Sequence, residues 1–440
     1  YACFKRKLKS EIKVAQLSGY CAEHTAYHHG EASLQLTIIG MAQDYIGSNN
    51  INLLVPSGQF GTRLVGGVDA ASPRYIFTHL SPISRYIFPE EDDVLLDYLE
   101  DDGQLIEPKY FCPIIPLLLV NGSQGIGTGW STFIPQHDPL SVIDYIRAKL
   151  DRTLRLPRIE PYSKGFQGVI DRQENGYASN GKIHIIDNKT VLIDELPIGV
   201  WTNSYKSFLL KLQSKGTIVD FKEGHTTTQV SFTVKLKSAE LQRMHKSGLE
   251  KAFKLKANLP LTNMNAFDSL GTMQKFHSAE SIADAYFPTR LSLYHDRKSV
   301  LTSEKDYKAS ILKNKARFIE LVSERKIDLL GGQLSKENSI LVLSSLGFST
   351  TDELNELRKN NSLKKGKNEN FNGEEDNLNL RDQTSSFDYL FKMPLSSLTS
   401  DKVRELRNEA SQTESELNAI RKLQPEELWL SELDKLAQVL

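Results

Sequence analysis

Cysteine is scarce in this chain of 440 residues: Cys3, Cys21 and Cys112 are all it has. They form no closely spaced pair, which excludes a disulfide framework and a paired-cysteine zinc site. A few unpaired thiols suit a reducing compartment. His28 and His29 are adjacent, which is not the separated spacing of zinc ligands either. Long apolar runs are also missing. The clearest, Ile114 to Val120, falls well short of the roughly 20 residues of a membrane span, so it reads as a buried strand or core segment and no membrane partner is expected. No Gly-rich nucleotide loop occurs, so ATP is not expected to bind within these residues. A net charge of one sign is lacking too: 54 Lys and Arg face 55 Asp and Glu, leaving −1. A polyanionic partner would therefore need segregated charge. Lys5-Arg6-Lys7-Leu8-Lys9 is locally basic, whereas Glu90-Glu91-Asp92-Asp93 and Glu100-Asp101-Asp102 are acidic.

What the chain does have is a tyrosine in a marked setting. Tyr75 follows Arg74 in Gly66-Gly67-Val68-Asp69-Ala70-Ala71-Ser72-Pro73-Arg74-Tyr75. An isolated Arg-Tyr pair would read as a buried aromatic beside a surface cation. Here it lies between Tyr27-His28-His29-Gly30-Glu31 and Asn121-Gly122-Ser123-Gln124-Gly125-Ile126-Gly127-Thr128-Gly129-Trp130. A phenol, with a pKa near ~10, becomes a nucleophile once its proton is removed. A phosphodiester under attack gathers negative charge that a guanidinium can fork onto. The combination points to a tyrosine nucleophile for a phosphodiester.

These motifs, with Lys13-Val14-Ala15-Gln16-Leu17, Gly47-Ser48-Asn49-Asn50, Gln59-Phe60-Gly61-Thr62-Arg63 and Pro113-Ile114-Ile115-Pro116, occur in an order that strongly resembles the DNA breakage-reunion region of eukaryotic type IIA DNA topoisomerases. The resemblance is dense over the first 135 residues and thinner beyond. It implies that Tyr75 becomes joined to a DNA 5′-phosphate, that Arg74 is its transition-state partner, and that His29 approaches the scissile phosphate and leaving 3′-oxygen. It implies that Ile126 is an apolar wedge entering a base step, with Gly125 and Gly127 letting the backbone pass close. Gln59 and Arg63 are expected to contact DNA. Val68 departs from the family's usual lysine and removes one cation near the nucleophile. The resemblance also implies double-stranded DNA as partner (two duplexes), a homodimer and a nuclear location, with an organellar form left open. Magnesium and ATP are expected to bind upstream, with no metal ligand in this chain. The chain opens on Tyr1 without methionine or signal peptide and is expected to be a core fragment, not fully competent alone.

The expected fold class is α+β multidomain: a winged-helix-like domain, an α/β tower, and a long antiparallel coiled coil with a small helical dimer gate. Residues 1–135 are assigned to the winged-helix-like cleavage domain, 136–275 to the tower, 276–330 and 395–440 to coiled-coil arms, and 331–394 to the gate with a disordered loop at 358–386. Apolar residues at Leu34, Ile38, Met41, Ala42 and Tyr45 predict a helix over 32–46, stopped by Gly47-Ser48-Asn49-Asn50. A strand-turn-loop is expected over 51–67 and a short helix after Tyr75. A hairpin is expected around Asp187-Asn188-Lys189, a strand at Val230 to Leu236, and a helix at Trp201 to Leu212. Residues 278–328 read as helical despite Pro288. Val403, Leu406, Ala410, Thr413, Leu417 and Ile420 form a heptad seam. The function expected is that of an ATP-dependent type II topoisomerase core. The rival is a non-catalytic DNA-binding dimeric scaffold supported by Val68. A tyrosine recombinase would need several separated basic catalytic residues and no gate.

Overall fold

The computed structural model describes residues 1–327, 336–359, 387–394 and 399–440. It divides into two compact units: Tyr1–Glu90 with Leu96–Arg290 and Leu430–Leu440, and Glu91–Leu95 with Leu291–Trp429.

In the first unit, helices Val14–His24 and Glu31–Ala42 pack against each other, and strands Ile12–Lys13 and Phe77–Thr78 pair antiparallel beside them. One core joins Val14, Leu17, Ile38, Ile39, Ala42, Leu54, Phe60 and Ile76. The second helix ends at Ala42, four residues short of the expected end. Asn49 is the reason: its Nδ2 donates to the carbonyls of Gly40 and Gln43, at 2.7 and 2.8 Å, and so satisfies acceptors a longer helix would have used. Met41 points outward and Ile39 takes the core position instead. Residues 51–67 hold no strand, only isolated bridges from Leu54 to Leu80 and Ser57 to Phe77. Directly after Tyr75 comes strand rather than helix; the short helix is Ser84–Ile87. Ile114 to Val120 is core, but its end, Leu117–Val120, is a helical turn set off by Pro116.

Further along, the hairpin Lys182–Asp187/Thr190–Glu195 forms as expected, and Phe232–Lys235 pairs with its second strand. Asp220–Glu223 completes a four-stranded antiparallel sheet. Alternation puts Val191, Ile193, Phe232 and Val234 on one face, where Tyr205 and Leu209 of helix Thr202–Ser214 cover them. A three-stranded sheet (Lys256–Pro260, Gly176–Asn180, Val169–Gln173) and a hairpin (Met264–Phe267, Met273–Phe276) follow.

Helix Ala279–Ser323 runs through Pro288, and most of it belongs to the second unit. There Leu312, Ala316 and Ile319 pack on Leu406 and Ala410 of helix Ser400–Lys422. Thr413 and Leu417 continue the buried seam, with Val403 and Ile420 half-buried at its ends. The pair is antiparallel, because the ion pairs Asp306–Arg421, Lys313–Glu414 and Glu320–Arg407 ascend on one helix and descend on the other. A second core gathers Phe318, Ile327, Leu343, Phe348, Phe387 and Leu390. The loop expected at 358–386 lies almost wholly outside the described residues.

Candidate active site

Tyr75 sits on a loop pinned from below. A helix start leaves its first N–H groups without intrahelical partners. Here Val14 N–H donates to Ile76 O at 3.1 Å and Ala15 N–H donates to Pro73 O at 3.0 Å. The carbonyls flanking Arg74 and Tyr75 therefore cap helix Val14–His24. Ile76 is buried, Phe77 exchanges both backbone hydrogen bonds with Ser57, and Tyr75 N–H closes a turn onto Ser72 O at 2.9 Å. With the backbone so fixed, the side chains of Arg74 and Tyr75 face solvent, and Tyr75 is 77% exposed. An apolar ring left in water on an anchored loop costs free energy, so a ligand contact is the physical reason to look for.

His29 is also exposed and stacks edge-on with Tyr27 at 5.4 Å between ring centroids. Gly30 behind it is the N-cap of helix Glu31–Ala42, so the histidine precedes the positive end of that helix. The elements bearing His29 and Tyr75 share one core through Ile38 and Ile76.

The Gln59-to-Asp69 loop is the third part. Thr62 N–H and Oγ1 donate to the Asp69 carboxylate at 2.8 and 2.6 Å, and Gln43 Nε2 donates to Phe60 O at 2.9 Å. Gly66 adopts φ +68°, and a Cβ there would lie 2.4 Å from the Trp201 ring, so the paired glycines are demanded by packing. Val68 and Gln59 are left exposed. Arg63 is not. It is 4% exposed, and its guanidinium meets Glu195 at 2.5 Å. Glu195 also accepts from Leu196 N–H at 2.8 Å and Gln167 N–H at 3.1 Å. The expected DNA contact through Arg63 is therefore replaced by a buried structural ion pair.

Ile126 ends the first strand of the hairpin Ser123–Ile126/Ser131–Ile134, opposite Ser131, and is 93% exposed. Gly127 N–H closes the turn onto Trp130 O at 2.8 Å, while Gly125, Gly127 and Gly129 present no side chains around it. The hairpin base is tied to the first core by residues that the sequence motifs contained but to which no role was given. Asn50, buried, donates to the carbonyls of Val120, His137 and Tyr162 and accepts from Lys164 N–H. Asn121 exchanges two hydrogen bonds with the backbone of Ile51 at 2.8 and 2.9 Å. Paired asparagines at the end of a predicted helix were the available signal. Among the described residues, no group of three or more His, Cys, Asp and Glu side chains is placed to hold a metal ion. No described helix is long and apolar enough to cross a membrane.

The mixed α/β fold, with its exposed tyrosine and apolar hairpin tip, is that of a type II topoisomerase cleavage region. The solved Plasmodium falciparum topoisomerase II DNA-binding, cleavage and re-ligation domain superposes with a TM-score of 0.86 at 41% identity, covering 100% of this chain and 59% of that one. The chain belongs to the DNA gyrase/topoisomerase IV A-subunit family, whose pattern matches residues 1–434. DNA topoisomerase 2 of Plasmodium falciparum is 40% identical over 447 residues, covering 100% of this chain and 32% of that protein. DNA topoisomerase 2-alpha of Cricetulus griseus is 41% identical over 448 residues, covering 98% and 29%. The chain thus spans about a third of the length of the curated relatives it matches.

Proposed function

We propose that this chain is the DNA breakage and re-ligation core of a eukaryotic-type topoisomerase II. The observation that carries the reading is Tyr75, exposed beside Arg74 on a loop whose backbone caps a helix. The phenolic oxygen of Tyr75 gives up its proton to solvent as it attacks a phosphorus of the duplex. The bond to the 3′-oxygen breaks, and that oxygen leaves as a hydroxyl after taking up a proton. The 5′-phosphate stays on the tyrosine as a phosphodiester, so the reverse attack re-ligates without an external energy source. Arg74 spreads its two-pronged charge over the non-bridging oxygens as negative charge grows. His29 stands at the leaving 3′-oxygen. Ile126 opens a base step, flanked by Gly125 and Gly127, and Gln59 touches the duplex beside it. Inserting the wedge costs a few kcal/mol of unstacking, offset by the wider contact that bent DNA allows.

Within this reading the first 135 residues are the winged-helix-like cleavage domain, 136–275 the tower, 276–330 and 395–440 the coiled-coil arms, and 331–394 the dimer gate. Two protomers related by a twofold axis cut the two strands of one duplex, and a second duplex passes through. The whole enzyme works in the nucleus with ATP and magnesium. Among the described residues, no group of three or more His, Cys, Asp and Glu side chains is placed to hold the magnesium ion.

Covalent trapping tests the proposal. The full-length protein is incubated with supercoiled plasmid and magnesium, quenched with detergent, and assayed for protein joined to DNA 5′ ends. An adduct with the native protein that vanishes with Tyr75→Phe is expected. No adduct in either, with DNA binding and dimerisation intact, would replace the enzyme by the dimeric scaffold, and Val68→Lys would then be the first variant to make.

A further inference from the structure

The Ile126 hairpin has a neighbour. Phe133 N–H donates to Asn263 O at 2.9 Å, Thr132 Oγ1 donates to Asn265 O at 2.7 Å, and Asn265 Nδ2 donates to Ser131 O at 2.8 Å. Stepping from Phe133 back to Ser131 approaches the first hairpin's turn. The same steps run from Asn263 to Asn265, toward the turn of hairpin Met264–Phe267/Met273–Phe276. The two strands are antiparallel, so both turns point to the same side. The second turn is rigid: Asp268 accepts from Leu270 N–H and Thr272 N–H at 2.9 Å and from Gln274 Nε2 at 2.6 Å, and Gly271 supplies φ +76°. Yet it holds Leu270 88% exposed and Phe267 68% exposed. An apolar side chain fixed in water by its own turn gains nothing from folding, and covering it with a partner is favourable.

We propose that Leu270 and Phe267 form a second apolar contact on the same duplex that Ile126 enters, resting on sugars and base edges at the flank of the opened step. The inference rests on the reading that the Ile126 turn meets DNA. Duplex DNA is the occupant because the second tip continues the surface of the first. The charges there suit it as well. Ser123–Ile134 carries no charged residue, Asp268 is spent on its own turn, and Lys275 is exposed on the return strand. Together the two turns make a two-pronged apolar face, with the wedge bending the duplex and its neighbour holding the bent flank.

The test is binding of end-labelled linear duplex by the dimeric full-length protein over a range of KCl concentrations. Phe267→Ser/Leu270→Ser is expected to raise Kd about tenfold at every salt concentration. The slope of log Kd against log salt should stay unchanged, because no phosphate contact is lost. Leu270→Met should restore affinity to the Phe267→Ser background. Both side chains are exposed, so melting temperature should hold. Ile126→Ser run beside them separates the readings. If Ile126→Ser weakens binding and the double variant does not, this inference falls and the cleavage reading stands; if the Tyr75 adduct is absent, the cleavage reading itself fails. A changed salt slope, or lost dimerisation with unchanged Kd, would overturn the apolar contact with DNA.

Discussion

At the scale of single residues, identical chemistry divides by burial. Arg63 and Arg74 stand near each other in sequence and either could serve a phosphate. One is 4% exposed and locked to Glu195, the other faces solvent. Breaking a buried pair leaves an uncompensated charge, so Arg63→Met should cost about 3–5 kcal/mol in urea unfolding followed by tryptophan fluorescence. Duplex affinity of the folded protein and its salt slope should not change; a slope lowered by about 1 would restore Arg63 as a phosphate contact. No sequence rule could have made this distinction, because Glu195 is distant in the chain and only the fold brings it near. His137 is a second case. It is fully buried with Nδ1 3.3 Å from Leu119 O, and burial holds its imidazole below the ordinary value of 6.5. The folded state resists protonation, so the unfolded state binds more protons once pH falls below about 6.5. Stability contributed by the neutral ring is therefore present above that pH and lost below it. The stability of His137→Gln should depend less on pH between neutral and mildly acid solution, as thermal melts would show.

At the scale of elements, periodicity was legible and termination was not. The 401–423 seam was readable because Leu406, Ala410, Thr413 and Leu417 are spaced for one buried edge, and those are the residues buried. The 190–193 strand was readable because alternation puts Val191 and Ile193 inward. Helix Glu31–Ala42 was overextended because its end is set by Asn49, a side-chain cap that turns back onto Gly40 and Gln43. The supposed strand at 51–67 failed because Phe77 and Leu80 supply only isolated bridges. In the second unit, apolar packing should outweigh the ion-pair ladder. Leu406→Ala removes a 5% exposed side chain from the contact with Leu312, Ala316 and Ile319 and should cost about 2–5 kcal/mol. Arg421→Ala, which breaks an exposed pair with Asp306, should cost less than about 1 kcal/mol. Hydrogen exchange along Ser400–Lys422 compares them; equal loss of protection would mean that the ladder, not the seam, holds the helices.

At the scale of the whole molecule, a near-zero net charge does not argue against a nucleic-acid ligand once the acids are located. The run Glu90 to Asp93 is not simply a repelling surface: Asp92 is buried with Arg297 at 2.7 Å. On the proposed reading, what remains for DNA is a division of labour among elements: a capped helix that fixes Tyr75, a glycine-bounded turn that exposes Ile126, and, in the proposed dimer, a twofold partner that repeats both. That division has a consequence that no single-chain property can mimic. If each protomer cuts one strand, a dimer with one native Tyr75 and one Tyr75→Phe has a single nucleophile. Differently tagged native and variant full-length chains, co-expressed and purified through both tags, should convert supercoiled plasmid to detergent-trapped nicked circles, with protein on one strand only. The native homodimer should give linear product joined to protein at both 5′ ends, and the variant homodimer neither. Linear product from the mixed dimer would mean that one tyrosine serves both strands in turn, and the twofold mechanism would have to be abandoned even with Tyr75 confirmed as the nucleophile.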